Sequence, residues 1–166
     1  HLVEDKPISS MPFSISVDLE EDQLQSDSAL QHILALINSQ DGLSWVRSNL
    51  FTVLTEMYNN ALEHGLLKLD SNVKSSPEGF LEYYDMRESK LAALDEGKIT
   101  IDIAYSPSDS ALTISVTDTG DGFDFSHLEN QQDEAAFGRG ILLLRELCRS
   151  VSFLNDGRTT RVVMGV

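Results

Sequence analysis

From Phe13 to Asp18 (FSISVD) apolar and polar residues alternate, the pattern of a half-buried strand. Between Ser28 and Asn38 the period lengthens, and Leu30, Ile33, Leu34 and Ile37 recur at helical spacing. A turn at Asp41-Gly42 separates this helix from a longer one, predicted from about Ser44 to Glu63 and closed by Gly65. Ser75-Ser76-Pro77-Glu78 predicts a further helix start and Gly97 its stop, with Phe80, Tyr83, Tyr84, Leu91 and Leu94 as its apolar contacts. Period two returns over Ile99–Ala104 and Ala111–Thr117, with a turn at Ser106-Pro107-Ser108-Asp109 between them. A glycine-rich loop and a polar stretch from Ser126 to Glu134 follow. Gly138-Arg139-Gly140 then opens a short apolar helix, Ile141–Arg149. Two strands, Val151–Leu154 and Thr160–Val166, flank a turn at Asn155-Asp156-Gly157. This order predicts an α/β (α+β) two-layer sandwich, with one mixed, mainly antiparallel sheet covered on one face by helices.

Size and composition narrow the function. The 166 residues suffice for one cored domain and are too few for two comfortable ones. Residues 1–12 carry two prolines and little apolar content, and read as a linker or disordered terminus ahead of a domain over 13–166. The net charge of -15 repels phosphate backbones, which argues against nucleic acid as a partner. An acidic surface suits either solubility alone or a basic protein partner. No apolar run approaches the roughly 20 residues needed to cross a bilayer, and His1–Met11 lacks the features of a signal peptide. The expectation is a cytoplasmic domain without a membrane partner. The single cysteine, Cys148, can form neither an internal disulfide nor a zinc site and reads as a structural thiol.

Four segments carry candidate chemistry. In LTEMYNNALEHG, Leu50, Leu54, Met57 and Ala61 share one helix face, while Glu56, Asn60 and His64 form a polar stripe at i, i+4 and i+8. An amide oxygen is a neutral, hard ligand for Mg²⁺, and a carboxylate one turn away can act as base. A solvated helix face would show the same spacing. Next, Val116-Thr117-Asp118-Thr119-Gly120-Asp121-Gly122-Phe123 sets an aspartate at a strand end before two glycines at alternate positions. Such a carboxylate only accepts hydrogen bonds and suits an exocyclic amine, although a plain Asp-Gly turn is common. An EF-hand is excluded by Gly120, Gly122 and Phe123 at positions where a calcium loop needs other residues. Third, Phe137-Gly138-Arg139-Gly140-Ile141 enters a helix whose free N–H groups and neighbouring Arg139 suit phosphate. It is neither a Walker loop nor a dinucleotide fingerprint. The pair Thr159-Thr160 at the last strand is by itself an ordinary strand sequence.

Taken together, the order and spacing of these segments resemble the N box and the three G boxes of the GHKL (Bergerat-fold) ATPases, which include DNA gyrase and the histidine kinases. The resemblance runs over about residues 44–166 and implies Mg²⁺ and ATP as cofactors. It implies that Asn60 is the Mg²⁺ ligand, with Ala61 and His64 beside it, and that Glu56 polarises the attacking oxygen. Asp118 would read adenine with Thr160 as its water-mediated support, and Gly120, Gly122 and Phe123 would form the loop around it. Gly138, Arg139, Gly140 and Ile141 would lie along the phosphates.

Within that family the Asn-Asn-Ala-x-Glu-His-Gly string and the short lid Phe123–Phe137 look like the anti-sigma-factor serine/threonine kinases of bacterial partner switching. Their partners would be an antagonist protein of the STAS type and a sigma factor, and a homodimer is compatible with the resemblance. A histidine kinase needs a hairpin with a phosphorylatable histidine, and Gln31-His32-Ile33-Leu34 lacks the usual acidic neighbour. The chain departs from those serine kinases in a helical insertion at about 76–97, which looks like one found in ATPase domains fused to response-regulator and phosphatase domains. The alternatives are a module that binds ATP and sequesters its partner without phosphorylating it, and a histidine-kinase catalytic domain.

Overall fold

Five strands take up the alternating segments: β1 (Phe13–Leu19), β2 (Ile99–Ser106), β3 (Ala111–Asp118), β4 (Ser150–Leu154) and β5 (Thr159–Gly165), in the sheet order β1-β2-β3-β5-β4. They are seen in a computed structural model that describes residues 11–26, 28–38, 47–70, 73–74, 76–122 and 140–166. The predicted turn at Asp41-Gly42, the helix start at Ser44 and the polar stretch 126–134 lie outside these residues. Every strand pairing among the described residues is antiparallel, so the sheet is simpler than the mixed one expected. Short connections explain two of these pairings, because β2–β3 and β4–β5 are hairpins and neighbours joined by a few residues must run antiparallel. The second hairpin turns through Asn155, Asp156 and Gly157 at φ of 53, 58 and 85°, a region that these three residue types tolerate best.

Alternation decides what faces the helices. Ile99, Ile101 and Ile103 of β2, Leu112, Ile114 and Val116 of β3, and Val162 and Met164 of β5 are buried on one face. The intervening Ser14, Ser16, Asp102 and Ala104 are exposed on the other, where the Arg161 Nε–H donates to Ser115 Oγ at 2.9 Å. On the inner face Val116 stands opposite Thr160, and Ile99 opposite Asp118. The hydrophobic face therefore ends in a carboxylate and a hydroxyl at one edge of the core.

The helices pack on that inner face. An unforeseen short helix, α1 (Glu21–Leu24), is opened by a capping box in which Gln23 accepts from the Glu20 N–H at 3.0 Å. α2 (Ala29–Asn38) buries Ile33, Leu34 and Ile37. α3 (Arg47–Asn59) buries Leu50, Val53, Leu54 and Met57, and Ala61 continues the same buried stripe. Beyond Asn59 the chain widens into a π-helical turn, Asn60–Leu66, with the Leu67 N–H reaching back five residues to the Leu62 carbonyl at 2.9 Å. Gly65, expected to close the helix, lies inside this turn instead.

α4 (Pro77–Ala92) starts as expected, with Ser76 Oγ accepting from the Gly79 N–H at 3.0 Å and Pro77 at the first helical position. It ends at Ala92, and Gly97 (φ 134°) belongs to the turn into β2. Of its expected apolar contacts, Tyr83 is buried and Leu91 and Leu94 are half-buried. Phe80 and Tyr84 are 48% and 45% exposed and pack on each other, with ring centroids 4.8 Å apart. The last helix, α5 (Gly140–Leu147), buries Ile141 and Leu144. No described helix is long and apolar enough to cross a membrane.

Candidate functional site

The edge where the inner face turns polar is a pocket. Its floor is Val116, Asp118 and Thr160 from the sheet, and its walls are Asn60, Ala61, His64 and Gly65 from the π turn, Ile141 from α5, and Gly122, Phe153 and Gly157 from the loops and β4. Asp118 is only 7% exposed, because the alternation that buries Ile114 and Val116 also turns its carboxylate inward. Burial pushes its pKa up to about 6, against the lowering effects of the Gly120 N–H, which donates to Oδ1 at 2.8 Å, and of Arg158. The loop after Asp118 is pinned on both sides. The Arg158 Nε–H donates to the Gly120 carbonyl at 2.9 Å, and the Thr119 N–H donates to the Lys98 carbonyl at 3.1 Å. Gly122 has φ of 79°, and a Cβ there would overlap the Asp156 carbonyl.

The two adjacent threonines have different work. Thr159 faces away from the pocket, shares a 2.9 Å hydrogen bond with Thr117, and accepts from Asn155 Nδ2 at 2.8 Å. Thr160, one position on, lines the pocket beside Val116 and Asp118.

A second, wider cavity shares Asn60 and His64 with the first and is also lined by Glu56, Glu63, Lys74, Gly140 and Leu143. Glu56 and Asn60, one turn apart, therefore open into the same space. A Cβ at Gly140 would overlap a carboxylate oxygen of Glu56, so only glycine lets α5 begin directly above that group. Burial raises the Glu56 pKa, Glu63 raises it further, and Lys74 lowers it. The His64 Nδ1–H donates to the Leu69 carbonyl at 2.6 Å, which fixes the ring and the path of the chain leaving the π turn.

Glu56, Asn60, Ala61, His64, Asp118, Gly122, Gly140, Ile141 and Thr160, far apart in sequence, thus surround two adjoining cavities. Gly120 stands behind them, its N–H on Asp118. Phe123, Gly138 and Arg139 lie outside the described residues, as does the lid from Phe123 to Phe137. Sequence reasoning missed Glu63, Lys74 and Tyr83. Glu63 is buried and accepts from the Tyr83 hydroxyl and, at 2.9 Å, from the Arg87 Nε–H, which ties α4 to the π turn. A signal for Glu63 existed, since it follows Glu56 at i+7 and Asn60 at i+3 on the same helical face. Lys74 has no such local signal.

The arrangement offers a sunken acceptor for an amine, bordered by apolar Val116, Ile141 and Phe153, which suits a flat heterocycle. Next to it stand an amide oxygen, a carboxylate and a helix start with no side chain in the way, which suits phosphate and a hard cation. Among the described residues no group of three or more His, Cys, Asp or Glu could hold a metal by itself. A cation there would need ligand oxygens as well as Asn60.

A family model described as histidine kinase-like ATPase domain matches residues 24–166. No curated protein matches the chain.

Proposed function

The chain belongs to the histidine kinase-like ATPase domain family, whose GHKL-type module binds ATP, and on that premise we propose that it is a serine/threonine kinase of the anti-sigma-factor type. Its substrate would be a hydroxyl on an antagonist protein of the STAS type, with a sigma factor as competing partner. The observation that carries this reading is Glu56 and Asn60 opening into one cavity under the start of α5.

In this reading Asp118 accepts from the adenine amine and Thr160 supports it through water. Val116, Ile141 and Phe153 hold the ring in an apolar slot. The N–H groups at the start of α5 receive the phosphates. Asn60 would hold Mg²⁺, which when bound neutralises phosphate charge. Glu56 takes the proton from the acceptor hydroxyl as its oxygen bonds to the γ-phosphorus and the bond to the leaving ADP oxygen breaks. The raised pKa of Glu56 makes it a better base than an exposed carboxylate. Incubation with labelled ATP and candidate antagonist proteins, followed by identification of the modified residue, tests this. Label on a serine or threonine supports it, and label on a histidine overturns it.

A second reading is a module that uses ATP only to gate the capture of a partner. The exposed Phe80, Leu81 and Tyr84 on α4, the last of which lines the Glu56 cavity, favour it, because a binder needs an apolar surface more than a base. Capture without transfer in the same experiment would select it.

A further inference from the structure

The cavity around Glu56 is strongly acidic for a space that would take the phosphates. Glu56, Glu63 and Glu146 line it, and among its described lining residues Lys74 is the one lysine or arginine. Glu63 already has a counter-charge in Arg87. Lys74 comes from the short connection that leads into α4, and not from the motif helix.

Its position is held from two sides. The Nζ sits 4.5 Å from the centroid of the Tyr83 ring, a cation–π contact with a fully buried residue. Tyr83 is itself fixed through its hydroxyl to Glu63. The backbone beneath the lysine is equally constrained. Gly79 of α4 lies against the Val73 carbonyl so closely that a Cβ would overlap it, and the Val73 N–H donates to the Asp70 carbonyl at 3.2 Å. An ammonium poised in this way loses little freedom when it engages an anion. Its field already reaches the carboxylate of Glu56, whose pKa it lowers.

We propose that Lys74 is the cation that the connection into α4 presents to the terminal phosphate of a bound nucleoside triphosphate. The assignment rests on the ATP-site reading above. The heterocycle would lie over Asp118, so the cavity shared by Asn60, Gly140 and Lys74 is the far, phosphate end. Lys74 and the start of α5 both line that end. A diphosphate lacks the group that Lys74 would meet, so the lysine gives the site its preference for the triphosphate. Because Tyr83 and Gly79 position the lysine, that preference depends on α4 staying docked.

Calorimetry with Mg²⁺ tests this, using ADP and a non-hydrolysable ATP analogue on the wild type, Lys74→Met and Lys74→Arg. A charge-assisted hydrogen bond lost from Lys74→Met should weaken the triphosphate roughly 10- to 100-fold and ADP by less than about threefold. Lys74→Arg should keep most of the preference. Equal weakening of both nucleotides in Lys74→Met, or no change in either, with wild-type binding intact, overturns the Lys74 assignment alone. A wild type that binds neither nucleotide overturns the ATP-site reading together with it.

Discussion

Gly65 lies so close to Asp118 that a Cβ on the glycine would overlap the aspartate carboxylate. The π turn puts it there, since the wider coil carries the end of the motif helix down onto the end of β3. Gly65 also abuts the next loop, because a Cβ on Gly120 would overlap its carbonyl. Three residues from two motifs thus meet backbone to carboxylate. Gly65→Ala must displace Asp118 or the loop. It should lower stability by about 1–3 kcal/mol, the usual range for overpacking, and impair nucleotide binding as severely as loss of the aspartate. Thermal melts and ATP titrations check this; unchanged affinity would show that the carboxylate can move without consequence.

Asp118 trades stability for function. Its pKa of about 6 lies above the ordinary 3.8, so the folded chain takes up this proton before the unfolded chain does as pH falls. Ionisation above pH 6 therefore costs folding up to about 3 kcal/mol, a cost that fades between pH 6 and 4. Asp118→Asn should melt higher than the wild type at pH 8, by a margin that disappears by pH 4. The same variant should lose ATP affinity, because the amide can present a donor where adenine presents one. In the wild type, binding should weaken as pH drops below about 6. A variant that is no more stable at pH 8, or binds normally, would remove this assignment.

The inserted helix is anchored by polar contacts as well as by buried Tyr83. Tyr83→Phe withdraws the hydroxyl from buried Glu63 and leaves that carboxylate its hydrogen bond from Arg87. The loss should be about 1–3 kcal/mol, confined to α4, where Lys90 Nζ donating to the Leu67 carbonyl at 3.1 Å is a further tie. Hydrogen exchange should show α4 amides losing protection while β2 and β3 amides keep theirs. Uniform loss across the sheet would mean that α4 belongs to the main cooperative unit.

Asn60→Ala should abolish the magnesium dependence of nucleotide affinity, since the side-chain oxygen would no longer complete the metal shell. Titrations with and without magnesium show this directly, and an unchanged magnesium effect would return Asn60 to a solvated helix face.

The sheet was legible because alternation is a local property: a strand with Ile99, Ile101 and Ile103 on one face has few ways to lie. Glu56, Asn60 and Asp118 were legible for a similar reason, since helical spacing and a strand-end position are written in adjacent residues. Gly65 was misread as a stop because a glycine needed for close packing looks the same in sequence as one needed for a turn. Phe80 and Tyr84, expected among the apolar contacts of α4, pack on each other but stay largely exposed, whereas Tyr83 and Arg87 tie the helix to Glu63. Lys74 was invisible for a deeper reason. Its placement depends on Tyr83 and Gly79, which reach it only after α4 has folded back.

The most direct test of the phosphotransfer claim is single-turnover transfer from ATP to the antagonist protein by the wild type and by Glu56→Gln. The glutamine keeps the shape and removes the base, so ATP affinity should stay near normal. Transfer should slow by roughly 10²–10⁴-fold, toward the lower end because a loose phosphoryl-transfer transition state asks less of a base. Transfer by Glu56→Gln at the wild-type rate would contradict Glu56 as the base, and no transfer by the wild type would contradict the kinase itself.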